Sequence, residues 1–385
     1  MSKNIVFIDT TSTNSFHEVF NFSFLYSLSR NENKSIKYFA DNSSIAAIKK
    51  LADKNDIDFS TNDLTFESIY VYKGNSSLKI FIRNVFSSFM NVYLSIRYFN
   101  SIIIFSNLNP FFVPIFFMIK YILRKKVYFV LHGELEYVLQ KPRFYKPLFF
   151  YKFLVRFFLK HINSNVKLIV LGNSIKSNLL TLFDNLNYDS VISIHHPYIF
   201  DFDIYSPQSS CTPLLKIGTI GSIAWEKGLN DLLLLTNKLE MEIIQSKVSI
   251  SIIGRNSLKP DQFPLLHFIP SNPRNFLSYD LYNSHVKSLD CILFFYNLNT
   301  YKLTASGAIF DAINHCKPII ALRNDYFSEI FKICGEIGFL CESVDEMYLK
   351  ILHLHKSPEI VDNFKTNLLK AKNVYNFKNH IFELN

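Results

Sequence analysis

Short apolar runs of four to seven residues recur along this chain with helical patterns between them, and that alternation limits the possible folds more than any other feature. The expected strands of the first half are Asn4–Asp9, Ser35–Ala40, Phe66–Tyr72, Ile102–Ser106, Val127–His132, Val166–Leu171 and Val191–Ile194. Helical stretches fall between most of them, over Phe16–Ser29, Ser44–Lys54, Leu78–Tyr98, Pro110–Leu123, Phe144–Ile162 and Ser174–Phe183. A strand followed by a helix and another strand favours a parallel sheet covered on both faces. The polar segment Asp201–Pro213 contains Pro207 and two adjacent serines and reads as a linker. A second alternation follows. Its strands are Leu215–Ile220, Lys247–Ile253, Leu265–Ile269, Asp290–Phe295, Pro318–Leu322 and Gly338–Cys341. Its helices are Gly228–Leu239, Tyr279–Ser288, Ala305–His315, Tyr326–Lys332 and Val344–His355. The expected fold class is α/β, with two Rossmann-like domains, 1–200 and 214–355, facing an interdomain cleft. A helical tail, 356–385, completes the chain.

Size and composition agree with two packed cores. The chain has 385 residues, of which 49% are hydrophobic. Its five cysteines form no CxxC pair and read as reduced thiols of a cytoplasmic protein. The start MSKNIVFIDT has no signal-peptide core. The apolar segment Ile102–Leu123 is broken by Asn107, Asn109, Pro110, Pro114 and Lys120, whereas a spanning helix needs about 20 apolar residues in a row. The formal net charge of +9 is concentrated: eleven Lys and Arg lie between Lys120 and Lys167, against only Glu134 and Glu136. Together with the aromatic and basic helix Phe144–Ile162, that block suggests an anionic membrane surface as partner. The alternative is a core helix whose lysines snorkel. No signature of nucleic-acid binding accompanies the charge.

Ligands of such sheets bind beyond the carboxyl ends of the strands, so chemistry is expected at strand-to-helix turns. In KIGTIGSIAWEKGLN the strand ends at Ile220; Gly221 and Ser222 form the turn, and Lys227 precedes the next helix. Small residues let backbone amides approach a phosphate, and a lysine supplies the compensating charge. In SIIGRNS, Arg255 follows Gly254, and its forked donors suit a diphosphate. In FFYNLNTYKLTASGAIFDAINHCKPIIAL, Tyr296 ends a strand, and Thr304, Ser306 and Gly307 open a helix. Asp311, one turn further in, can accept hydrogen bonds from ribose hydroxyls. In the first half, His132 and Glu134 stand at the end of the strand in VYFVLHGELEYV, where either can take a proton from an acceptor hydroxyl. Asp9–Ser12 and His195-His196 also follow strands. No HxxxH, DxD pair or cysteine cluster calls for a metal.

GSIAWEKG followed by SGAIFDAINHCKPIIAL resembles the donor domain of GT-B glycosyltransferases of the family 4-like kind, especially enzymes of bacterial surface-polysaccharide assembly. The resemblance is strongest over residues 215–345. It implies that Lys227-Gly228 holds the donor phosphates, that Asp311 binds ribose, and that the His132-Gly133 turn faces the transferring sugar. Two places depart from the family pattern: Ser222 stands where an arginine is common, and Leu303 where a glutamate is common. Arg255, Lys302 and Thr304 are candidates for part of the glutamate's role. The implied activity is hexosyl transfer from a nucleotide sugar to a glycan or lipid-linked glycan acceptor, as in O-antigen, lipopolysaccharide or capsule synthesis. No metal or other cofactor is expected. The implied location is cytoplasmic, peripherally attached to the inner face of the membrane. In GT-B proteins the tail crosses back to the first domain. A nucleotide-sugar epimerase of the same fold, or a non-catalytic scaffold partner, remains an alternative.

Overall fold

A computed structural model describes the chain except for residues 1–2, 14–16, 31–33, 60–62, 75, 141–146, 204–213, 257, 273–276, 297, 299–300, 383 and 385. Lys141, Arg143 and Lys146 of the basic block lie outside the described residues. So do most of the expected linker, with Pro207, Cys211 and Pro213, and the expected starts of the helices at Phe16 and Phe144. Two compact units divide the chain. The first is Met1–Ile199 with Leu303–Ala305 and Tyr375–Asn385; the second is Phe200–Lys302 with Ser306–Val374.

The first unit runs β1 (Lys3–Ile8), α1 (Glu18–Ser29), β2 (Lys34–Ala40), α2 (Asn42–Lys54), β3 (Leu64–Ser68), α3 (Ser77–Arg97) and β4 (Ile102–Phe105). It continues with α4 (Phe112–Ile119), β5 (Val127–Val130), α5 (Pro147–His161), β6 (Val166–Val170), α6 (Asn173–Leu182) and β7 (Val191–Ser193). The seven strands are all parallel, in the order β3-β2-β1-β4-β5-β6-β7. Alternate side chains of a strand point to opposite faces, and both faces are buried. Tyr128 and Val130 join Phe7, Phe20, Phe22 and Tyr38 in one core. Phe129 points the other way, stacking on Phe105 with ring centroids 4.8 Å apart and meeting Phe116 and Phe158 of α4 and α5. The last residues of the chain complete the first core: Phe377 packs on Phe22 and Tyr26, and Phe382 on Phe24.

The second unit runs β8 (Leu215–Ile220), α7 (Leu229–Lys238), α8 (Glu240–Ile244), β9 (Val248–Ile253), β10 (Leu266–Ile269), α9 (Tyr279–Ser288) and β11 (Cys291–Phe294). It ends with α10 (Ala308–Asn314), β12 (Ile319–Leu322), α11 (Asp325–Cys334), β13 (Gly338–Cys341), α12 (Val344–Lys356) and α13 (Ile360–Tyr375). Its parallel strands are ordered β10-β9-β8-β11-β12-β13. Helix starts are fixed by side chains that accept the free amides of the first turn. Ser278, Asn324 and Ser343 cap α9, α11 and α12 in this way.

Several boundaries differ from expectation, among them the end of α4, at Ile119 rather than Leu123, and of β5, at Val130 rather than His132; three others have a visible cause or consequence. The strand expected over Phe66–Tyr72 runs Leu64–Ser68, because its partner β2 stops at Ala40, where Asp41 turns to cap α2. The helix expected from Pro110 starts at Phe112, since Asn109 accepts the amides of Phe111 and Phe112. The helix expected from Ala305 starts at Ala308, so Ser306 and Gly307 lie in the loop before it.

Each sheet reverses its strand order once, between β1 and β4 in the first unit and between β8 and β11 in the second. The loops leaving those strands diverge to opposite faces, which opens a crevice at their carboxyl ends.

Candidate active site

In the first unit the crevice is organised by a buried carboxylate. Asp9, at the end of β1, accepts the Thr11 amide at 3.3 Å, the Ser12 amide at 3.0 Å and Asn21 Nδ2 at 2.7 Å. Thr10 Oγ1 donates to Asn91 Oδ1 at 2.9 Å, Ser87 donates to the Thr10 carbonyl, and Asn107 donates to Thr11 Oγ1. These bonds fix the loops after β1 and β4 as one polar floor.

His132 follows β5, beside that floor. Its Nε2 lies 3.1 Å from the Ser106 carbonyl. A carbonyl only accepts, so Nε2 carries the proton and Nδ1 of the neutral ring has the lone pair. Burial holds the imidazole well below its ordinary pKa, and the nearby His17 and His196 push it in the same direction. The ring lies 4.4 Å from that of His17 and meets Phe20 edge-on at 5.0 Å, which fixes its plane. Glu134 serves differently. Oε1 accepts the Leu108 amide at 2.9 Å and Oε2 the His132 amide at 3.0 Å. Both oxygens are engaged, so Glu134 clamps the loop after β4 to the turn after β5. Burial raises its carboxyl to about 7. Of the adjacent histidines, His196 lies in this group, 6.0 Å from Phe20, with burial lowering it to about 4. His195 turns instead to Tyr375 and His380.

Leu303 is buried, and its amide donates to Glu136 Oε1 at 2.6 Å. A backbone amide bound by a carboxylate therefore stands where the resemblance led to a glutamate side chain. Thr304 Oγ1, beside it, is buried and makes no hydrogen bond.

In the second unit the turns after β8 and β9 touch. A Cβ at Gly254, whose φ is +132°, would lie 1.9 Å from the Gly221 carbonyl oxygen. Gly228, with φ +82°, passes so close to Phe295 that a Cβ would meet its carbonyl oxygen at 2.3 Å. Glycine at these two places lets the neighbouring backbones pack directly on each other. Lys227, next to Gly228, is half-buried, and among the described residues no carboxylate pairs with it. Burial lowers its pKa. Ser222 and Arg255 are exposed. Across the crevice Ser306 is buried with no well-formed hydrogen bond for its hydroxyl, although the Tyr296 phenol senses it. Tyr296 is buried, stacked on Tyr301 at 4.1 Å, and burial pushes its phenol up to about 12. Gly307 precedes the first turn of α10. Asp311 in that turn receives a hydrogen bond from the Tyr282 hydroxyl to Oδ2 at 2.8 Å. Burial, and next the Asp311 charge, keep Tyr282 protonated, so it remains a donor.

Sequence reasoning located the turns and missed what orients them. His17, Glu136 and Tyr282 lie far along the chain from the residues they hold, and no spacing or motif announces them. Among the described residues no group of three or more His, Cys, Asp or Glu is placed to hold a metal ion.

No protein-family model and no curated protein sequence matches the chain. Solved structures do. Anabaena Alr3699/HepE in complex with UDP-glucose is 13% identical, with a TM-score of 0.61 over 97% of this chain and 96% of its own. A mutant TarM of S. aureus, in complex with fondaparinux, alpha-GlcNAc-glycerol and UDP, is 11% identical, with a TM-score of 0.59 over 98% and 97%. The lipopolysaccharide outer core galactosyltransferase WaaB is 13% identical, with a TM-score of 0.58 over 98% and 97%. The chain shares with them the GT-B fold.

Proposed function

We propose that this chain is a glycosyltransferase that moves a sugar from a nucleoside diphosphate sugar to a glycan or lipid-linked glycan in the assembly of a bacterial surface polysaccharide. The observation that carries the proposal is the half-buried ammonium of Lys227 at the crevice of the second sheet, with no carboxylate among the described residues paired to it. A partly desolvated cation without a counter-charge favours an anionic ligand, and a diphosphate supplies one. The amides of the Gly221 turn and those leading into α10 complete the cradle. Asp311, aimed by Tyr282, accepts the ribose hydroxyls. The UDP and UDP-glucose complexes of fold neighbours support a donor of this class.

In this reading His132 is the base. His132 Nδ1 takes the proton of the acceptor hydroxyl as its oxygen bonds to the anomeric carbon. The bond from that carbon to the phosphate oxygen breaks, and the nucleoside diphosphate leaves with the electron pair. Ser106 keeps the proton on Nε2, and the clamp of Glu134 holds the turn in place. Burial keeps the imidazole neutral at pH 7, so Nδ1 is free to accept, and the same burial disfavours the imidazolium that results.

Thermal stabilisation by UDP and by a panel of nucleotide sugars tests the donor site, and turnover is then followed with whichever donor binds. Lys227→Ala should weaken UDP binding by about tenfold or more, since charge-assisted phosphate contacts contribute roughly 1.5–3 kcal/mol each. His132→Ala should cut turnover by about 100-fold or more while UDP binding stays within a factor of two or so. If no nucleoside diphosphate stabilises the protein, or Lys227→Ala binds UDP as wild type does, the donor assignment is wrong.

A further inference from the structure

Helix α3 is built inside out. Its buried side is mostly polar: Ser87, Ser88, Asn91 and Ser95 are at most 4% exposed, beside the buried Leu94. Three of them bond to the loops after β1 and β4, Ser87 to the Thr10 carbonyl, Asn91 to Thr10 Oγ1 and Ser88 to Asn109. Its outer side is apolar: Phe86 is 60% exposed, Phe89 64% and Tyr93 54%. These three recur at the helical spacing of three and four residues, so they form one stripe. A helix that meets water carries the reverse pattern.

The stripe continues onto its neighbours. Of the 26 large hydrophobic side chains exposed among the described residues, 13 lie on α3, α5 or the last turn of α4 and the three residues that follow it. Phe81 of α3 meets Phe111 at 5.1 Å, which in turn meets Phe150 of α5 at 6.0 Å, so the surface is contiguous. At roughly 100 Å² per half-exposed ring it amounts to on the order of 1,000 Å², beyond the few hundred Å² usual for a soluble monomer.

Charge selects what covers it. Over the span of these helices, Ser77 to His161, the chain has 13 Lys and Arg and two acids, Glu134 and Glu136. Both acids are occupied by backbone amides. The ammonium of Lys120 lies 4.3 Å from the centroid of the Phe117 ring, so cation and aromatic share one surface. A second copy of this face would bring like charges together, which opposes self-association. Anionic headgroups neutralise the cations while acyl chains receive the rings. No described helix is long and apolar enough to cross a membrane, which leaves a position in the interface.

We propose that the outer surface of α3, α4 and α5 docks on an anionic lipid bilayer by inserting its aromatic side chains between the lipids. The proposal rests on this surface alone and holds whatever group the protein transfers. The test uses the full chain with vesicles of phosphatidylcholine, alone or mixed with phosphatidylglycerol. The wild type should sediment with the mixed vesicles about tenfold or more better than with phosphatidylcholine alone, and the variant Phe86→Ser/Phe89→Ser/Phe153→Ser should lose about tenfold or more of that binding. Because the chain has a single tryptophan, Phe153→Trp in a Trp225→Phe background reports insertion directly. Its fluorescence should be quenched by lipids brominated along the acyl chain, and this readout decides the matter if the triple variant does not fold. Unquenched fluorescence, or a folded triple variant that binds as wild type does, overturns the proposal. So does a lipid-free dimer that the triple substitution turns into a monomer.

Discussion

Glu134 shows how far a side chain's role depends on its partners. As a carboxylate two residues beyond His132 it reads as a candidate base, yet both its oxygens hold backbone amides. Burial raises its pKa from 4.5 to about 7. The folded protein thus keeps this proton at pH values where the unfolded chain has released it. Unfolding then releases a proton, so this group's contribution to stability falls as pH rises from about 4.5 to about 7, by an amount on the order of 3 kcal/mol. Glu134→Gln lacks the titration. The stability advantage of wild type over this variant, from urea unfolding at a series of pH values, should therefore shrink across that window. A difference independent of pH would show that Glu134 does not titrate there.

At the scale of elements, the turn from β8 into α7 illustrates what a motif encodes. Gly228 adopts φ +82° against the Phe295 carbonyl, and either feature alone excludes a side chain. Gly228→Ala should cost about 2 kcal/mol or more of stability, because the backbone must move to relieve the overlap. The displaced Lys227 should weaken UDP binding at the same time. Melting curves with and without UDP measure both effects, and a variant that melts and binds like wild type would refute the account. The elements themselves were legible where periodicity was strong, as in β1, α2 and β9. The loop before α10 was less so, because Thr304, Ser306 and Gly307 continue a helical pattern in composition while the chain stays irregular until Ala308. The orientation of α3 was not legible either. Its pattern identifies a helix with one apolar side, but which side faces the sheet depends on partners in the loops after β1 and β4.

At the scale of the molecule, the last residues of the chain belong to the core of the first unit. Phe377, Phe382 and Leu384 are at most 6% exposed. The Phe377 amide donates to the Tyr198 carbonyl, and the Tyr198 amide to the Tyr375 carbonyl. Ending the chain after Val374 should destabilise the first unit by at least about 3 kcal/mol, the usual cost of removing one buried phenylalanine. The second unit should keep its UDP-dependent stabilisation. Calorimetry with and without UDP checks this, and an unchanged melting profile would show the segment to be dispensable. The sequence by itself determined the alternation of strands and helices, and hence two parallel sheets, because hydrophobic periodicity is local and each period fits one kind of element. It also determined which strand ends carry lysine, glycine, histidine and aspartate. Only the tertiary structure decided that Ser106 sets the tautomer of His132, that Glu134 is a clamp, that Tyr282 aims Asp311, and that Glu136 holds the amide of Leu303. The physical reason is that a hydrogen bond acts over about 3 Å in space whatever the distance along the chain, and no local pattern records which distant groups folding will bring that close.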